Sequence, residues 1–343
     1  MSFQVFSTNS EALAKFYTLI LEKYPTYAPV ENRGNFEYKQ ISSLREAVID
    51  APIKKTGSIK PLFFSQNSIV YTYNSLDQSL TYPENESDTK ERVILGVKHC
   101  DANSLRVLDK VNDWDYHGKS YFEKRKNTFI IGQLCQKAEN TCFCTSLDYP
   151  LENSDAYDIL VMQNSSEILL KICTEKGKQL IENLKISDLI ASTEKEPIIK
   201  NIYEDFKSSF VLKLDYEDIN KKMSGKFDSD YWDQVAVNCI GCNACAFVCP
   251  TCHCFKICDE QLKDTSVRYK CYDSCNNKYF TLMAGGHNPR SVKFRRWRQR
   301  AMHKFVYYKE RFGTNLCVGC GKCQNACPVD ISIYEVAVKV ANS

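Results

Sequence analysis

Apolar side chains recur every three to four residues in EALAKFYTLILEK (11–23), the period of an amphipathic helix with one buried face. Further on the period shortens. SIVYTY (68–73), RVILGV (92–97), TFIIGQL (128–134) and AYDILVM (156–162) are short runs rich in β-branched and aromatic residues, which suit pleated strands. DANSLRVLDKV (101–111) directly follows one of these runs, with Leu105, Leu108 and Val111 as an apolar stripe and Asp101 at the expected N-cap. YPENESDTKE (82–91) is polar and reads as a loop. Strands and helices thus mix over residues 1–215, and residues 203–235 carry a charged helical pattern, with the connector itself at 216–235. From 236 to 343 the texture changes: strand signals nearly vanish, while glycine turns, helical stretches and cysteines take over. The expected fold class is α+β, an N-terminal mixed α/β domain followed by an α-helical domain.

Composition changes this picture in one respect. The 343 residues are 43% hydrophobic and 25% charged with a net charge of +3, ordinary values for a globular protein and too mild for a nucleic-acid binder on charge alone. No apolar run approaches the roughly 18 residues a membrane helix needs, and MSFQVFSTNSEALAKFYTLILEKY lacks the regions of a signal peptide, so a cytoplasmic location is expected. Cysteine is the outlier, with 18 residues, 13 of them between Cys239 and Cys327. In a reducing compartment such thiols are metal ligands rather than disulfides, and their sensitivity to oxidation points to an anaerobic owner.

The dense part contains an internal repeat. Cys239, Cys242, Cys245 and Cys249 form C-x2-C-x2-C-x3-C followed by Pro250; Cys317, Cys320, Cys323 and Cys327 form the same pattern followed by Pro328. Two-residue gaps let one tight loop present three thiolates to a 4Fe–4S cubane. The fourth cysteine of each run ligates the other cluster in two-cluster ferredoxins. The expected sets are therefore Cys239, Cys242, Cys245 with Cys327, and Cys317, Cys320, Cys323 with Cys249. Each proline is expected to open a helix. Zinc, which favours paired C-x2-C, is the bland alternative. The 67 residues between the runs exceed a compact bacterial ferredoxin and suit a helical ferredoxin-like dicluster domain over 236–343.

GVKHCDANSLRVLD (96–109), CQKAENTCFC (135–144), CPTCHC (249–254), DSC (273–275), AGGHNPR (284–290) and CVGCGKC (317–323) lie in order and cover most of the chain. Together they resemble the iron–sulfur subunit family shared by cytoplasmic sulfhydrogenases, where it is the beta subunit, and anaerobic sulfite reductases. The sequence departs where Tyr272 precedes DSC in place of the frequent Trp, and where KHCD stands at 98–101. The resemblance implies an electron-transfer protein. It would relay electrons between a flavoprotein that handles NAD(P)H and a catalytic hydrogenase or sulfite reductase.

Cys100, Cys135, Cys142 and Cys144 all fall in matching segments. They fit a third iron–sulfur cluster in the N-terminal domain, against core packing or zinc. Cys252, Cys254 and Cys275 match as well and leave two readings open, a further metal or cluster site or packing around the ferredoxin clusters; Cys258 and Cys271 match no family position, and Cys173 reads as core. Residues 284–311 are strongly basic and interleaved with aromatics, with Asn288 and Pro289 as the expected cap and first turn. Its cations compensate the clusters' negative charge and dock an acidic partner in the favoured reading. The alternative is a redox-sensing, cysteine-rich module that binds nucleic acid through this helix. His99, His253, His287 and His303 are read as structural. No dinucleotide fingerprint, P-loop or nucleophile elbow occurs, so no independent catalytic site is expected.

Overall fold

The computed structural model describes residues 4–83, 90–147, 149, 151, 155–164, 167–186, 190–192 and 195–343. Most of the loop expected at 82–91 lies outside them. Among the described residues twelve strands are formed: β1 (Val5–Thr8), β2 (Thr26–Asn32), β3 (Asn35–Ile41), β4 (Asn67–Asn74), β5 (Ser79–Thr81), β6 (Arg92–Val97), β7 (Thr128–Gln133), β8 (Ile159–Gln163), β9 (Ile168–Ile172), β10 (Ala191–Ser192), β11 (Phe255–Leu262) and β12 (Thr265–Tyr272).

Eight strands make a mixed sheet in the order β10-β1-β9-β8-β7-β6-β2-β3, in which β2, β6, β7 and β8 run parallel. Its central strands are buried on both faces, as helix-covered parallel strands are. The pleat sorts their side chains. Val93, Leu95, Phe129, Ile131, Ile159 and Val161 join one core with Phe16 and Ile20 of the helix Ser10–Lys23. Ile94, Ile130, Leu160 and Met162 join the other, which runs on through Trp232, Trp297, Phe305 and Val340. One continuous core therefore links the sheet to the cysteine-rich part. The helix Ser10–Lys23 begins where the sequence places it, and Asn9 Oδ1 caps it by accepting from Ala12 N at 2.9 Å.

Three local expectations are corrected. First, the helix after β6 spans His99–Asn112, so Asp101 lies within its first turn and caps nothing; its carboxylate is fully buried against Lys322. Second, the basic helix starts at Lys293 rather than at Asn288 and Pro289, and Asn288 instead ties a loop, with Nδ2 donating to Lys278 O at 2.6 Å and Oδ1 accepting from Thr281. Third, the cysteine-rich part is not free of strands. β11 and β12 form a hairpin, and β12 pairs with β4 to give a second sheet, β11-β12-β4-β5. No residue in β11 or β12 is fully buried, and although Val267, Tyr269 and Cys271 alternate with Arg268 and Lys270 in β12, the surrounding cysteines and charges drew the reading away from a strand.

Candidate iron–sulfur centres

The first cysteine run turns at Gly241 (φ +72°) and Asn243 (φ +63°), and Gly241 N points to Cys239 Sγ at 3.4 Å. Cys239, Cys242 and Cys245 wall a cavity of about 20 Å³ whose remaining thiol is Cys327, from the second run. Ile240, Lys293, Arg296, Trp297 and Val329 complete the lining. The buried Trp297 Nε1 and Asn276 Oδ1 at this cavity have no hydrogen-bond partner among the described residues. An unpaired indole N–H beside four thiols suits sulfide as its acceptor. The short helices lie inside the runs, at Ala244–Phe247 and Lys322–Asn325, and each proline follows in a turn rather than opening a helix.

Cys317, Cys320 and Cys323 are buried, and each thiol feels the charge of Cys249 across the fold. Burial pushes the Cys317 thiol up to about 11 and Cys323 up to about 12. Cys249 goes the other way, held well below the usual thiol value first by the hydrogen bond from Cys252 and then by Lys304 and Arg300.

The N-terminal cysteines meet this second group. Cys100 follows β6 and Cys135 follows β7, at the carboxyl ends of neighbouring parallel strands, where open α/β sheets place ligands. Cys142 and Cys144 arrive on a loop whose backbone lies against the second run: Phe143 N donates to Gly319 O at 2.9 Å, and Cys142 Sγ lies 3.9 Å from Cys320 O. The Cys100 thiol bonds the Cys320 thiol, and Cys144 feels both Cys142 and Cys135. Gly319 permits this approach. Its φ is +63°, and a Cβ there would stand 2.5 Å from Cys144 N. Gly319→Ala is therefore expected to lower stability by about 3 kcal/mol or more through combined overpacking and backbone strain. An unfolding midpoint equal to wild type, measured anaerobically, would count against this contact.

Sequence reasoning assigned charge compensation to the basic segment as a whole without separating the cations that face the thiols. Arg296, Arg300 and Lys304 recur every four residues along the helix Lys293–Met302 and the π turn His303–Tyr307 that continues it, and all three are buried. Their i, i+4, i+8 spacing was the available signal. Arg296 reaches the first cavity; Arg300 Nη1 donates to Cys252 Sγ at 3.5 Å and Nη2 to Cys245 O at 3.2 Å; Lys304 Nζ donates to Cys249 Sγ at 3.2 Å. No carboxylate among the described residues pairs with any of them. Like charges four apart on a helix repel, and buried cations need a counter-charge, so the stripe requires negative charge beside it. Lys322, which sequence reasoning missed, donates to Asp101 Oδ2 at 2.6 Å and Gly57 O at 2.9 Å, fixing the second run to the N-terminal helix.

The remaining residues sort plainly. Cys252, Cys254 and Cys275 line one cavity with His253 and His303. Cys258 and Cys271 sit on the hairpin with their sulfurs 3.7 Å apart, and Cys173 is core. The His99 ring is held by Tyr149 O and Tyr157 Oη, while His287 is exposed. Burial keeps His303 neutral, down to about 3, and lowers His253. Among the described residues no three His, Cys, Asp or Glu side chains stand close enough to hold a single metal ion. No helix among them is long and apolar enough to cross a membrane.

Residues 238–331 match the 4Fe-4S dicluster domain family. Over 339 residues the chain is 30% identical to sulfhydrogenase 2 subunit beta of Pyrococcus furiosus, covering 97% of both chains. The chain belongs to the sulfhydrogenase beta-subunit family. A shorter match, 31% over 86 residues, is to F420-dependent formate dehydrogenase 1 subunit beta of Methanococcus maripaludis, covering 25% of this chain and 22% of that protein. The F420-reducing NiFe hydrogenase complex of Methanosarcina barkeri contains a chain that aligns with a TM-score of 0.39 at 9% identity, over 66% of this chain and 93% of that one. As a family member with a dicluster domain, the chain is of the iron–sulfur type.

Proposed function

We propose that this chain is the electron-carrying iron–sulfur subunit of a multi-subunit anaerobic oxidoreductase. Cys239, Cys242, Cys245 and Cys327 hold one 4Fe–4S cluster; Cys317, Cys320, Cys323 and Cys249 hold a second; Cys100, Cys135, Cys142 and Cys144 hold a third. When bound, the clusters supply one-electron carriers at fixed positions. The observation that carries this reading is the first cavity, where three cysteines of one run meet the fourth of the other. The chain's own residues bury the second group and most of the third, whose Cys135 is half-buried, and set their charge through Arg300, Lys304 and Lys322.

The first group opens outward. Cys242 is exposed, and Val237, Ile240 and Phe247 around it are exposed apolar residues. This end suits docking of a partner, while the N-terminal group marks the other end of the relay. The partners in this reading are a hydrogenase-type catalytic subunit, with a sulfite reductase as the variant on the same theme, and a flavoprotein that exchanges electrons with NAD(P)H. The nucleic-acid alternative loses ground because three cations of the basic segment are buried among thiols and cannot meet phosphate.

Anaerobically purified protein is expected to carry at least about 8 iron and about 8 labile sulfide per chain. Zinc without labile sulfide would sink the reading. Nickel in the co-purified partner identifies a hydrogenase, and sirohaem a sulfite reductase.

A further inference from the structure

We propose that Cys252, Cys254 and Cys275 hold an additional iron–sulfur centre, separate from both ferredoxin runs and from the N-terminal cysteines. The site is built by the hairpin. Phe255 pairs with Tyr272, so the chain leaving β12 returns beside the residue preceding β11, and Asp273 N donates to Cys254 O at 3.0 Å. Asp273 Oδ1 then accepts from Ser274 N at 2.7 Å and from Asn277 Nδ2 at 2.8 Å, which fixes the turn that carries Cys275. The three thiols line one small cavity, about 10 Å³ in volume, together with His253, Arg300, His303, Lys304 and Leu316.

Charge supplies the second argument. Arg300 and Lys304 flank the cavity, and a third cation, Lys60, approaches from the N-terminal part: its Nζ donates to Cys252 O at 2.9 Å and lies 4.7 Å from the Tyr272 ring centre. Lys60 is 2% exposed, and no carboxylate among the described residues pairs with it. Burial lowers the pKa of Lys60, and the Cys252, Cys249 and Cys254 thiols oppose that shift. Its buried charge therefore calls for an anion at this site.

Geometry favours a cluster over one ion. Zinc takes four donors about 2.3 Å from one point, and among the described residues, here as at both ferredoxin runs, no three His, Cys, Asp or Glu side chains are grouped to hold one ion. A cluster spreads its thiolates over several irons. Leu316 adjoins Cys317, and Arg300 bonds both the Cys252 thiol and the Cys245 carbonyl, so the site adjoins both ferredoxin groups.

This inference rests on the iron–sulfur reading above, and the two fail separately. Wild-type holoprotein without iron overturns that reading; wild-type iron that survives loss of these thiols overturns this one alone. Cys254→Ser and Cys275→Ser, each in the full chain purified anaerobically, are expected to lose the iron of one centre, about two to four atoms. The double variant is expected to lose no more than either single variant, and Cys258→Ser none. Iron equal to wild type, or a Cys254–Cys275 disulfide found by mass spectrometry in anaerobic wild type, overturns the proposal. Should the serine variants fail to fold, Cys254→His keeps a ligating side chain. It is expected to retain iron with a changed electron paramagnetic resonance spectrum and a raised potential, and an unchanged spectrum overturns the proposal.

Discussion

Cys327→Ser is expected to cost about four iron and four labile sulfide per chain, and the cluster lost is the one beside Cys242, not the one beside Cys320. Cys327 belongs to the second run by sequence but walls the first cavity. Combining variants exposes this. Cys242→Ser with Cys327→Ser acts on one centre, so the pair loses no more iron than either single change. Cys320→Ser with Cys327→Ser acts on two, so the losses add to about eight. The reverse pattern, with Cys320 and Cys327 non-additive, would mean that each run fills its own cluster.

Lys304→Met is expected to lower the potential of the cluster at Cys317, Cys320, Cys323 and Cys249 by on the order of 100 mV. That is the interaction of one charge about 6 Å away at an effective dielectric of about 20. The direction follows from charge: reduction adds an electron, a buried cation stabilises the reduced form, and removing it makes reduction harder. Lys304 is 2% exposed and its Nζ is 3.2 Å from Cys249 Sγ, so solvent does little to screen it. Met keeps the length of the apolar stem. Arg295→Met on the exposed face serves as the comparison, with a much smaller shift expected. An anaerobic redox titration followed by electron paramagnetic resonance checks both, and a potential unmoved or raised by Lys304→Met would contradict the assigned role.

Several local patterns were legible in the sequence itself. The helix Ser10–Lys23 and strands β4, β6 and β7 fall within a few residues of their expected positions, because a helix stripe and a β-branched run are each decided by neighbours in sequence. β8 starts three residues later than its apolar run, at Ile159. Asp101 misled because a cap position and a buried partner for Lys322 look alike in sequence; the two residues are 221 apart, and only the folded core brings them together.

The chemistry is written along the chain. The two C-x2-C-x2-C-x3-C runs specify iron–sulfur ligation because that spacing is a local property of a loop, and no packing is needed to read it. Which groups the thiols have as neighbours is set by the fold alone. Folding brings Cys100, Cys135, Cys142 and Cys144 against the second run, through a backbone approach that Gly319 and Gly321 permit. It returns Cys275 to Cys252 and Cys254 through a hairpin that pairs with β4, far earlier in the chain. It also divides the basic segment into two sets, exposed cations and a buried stripe at Arg296, Arg300 and Lys304. The reason is the same in each case: these contacts join residues far apart in the chain, and what fixes them is burial of charge and thiol in a shared core, which no single stretch of sequence contains.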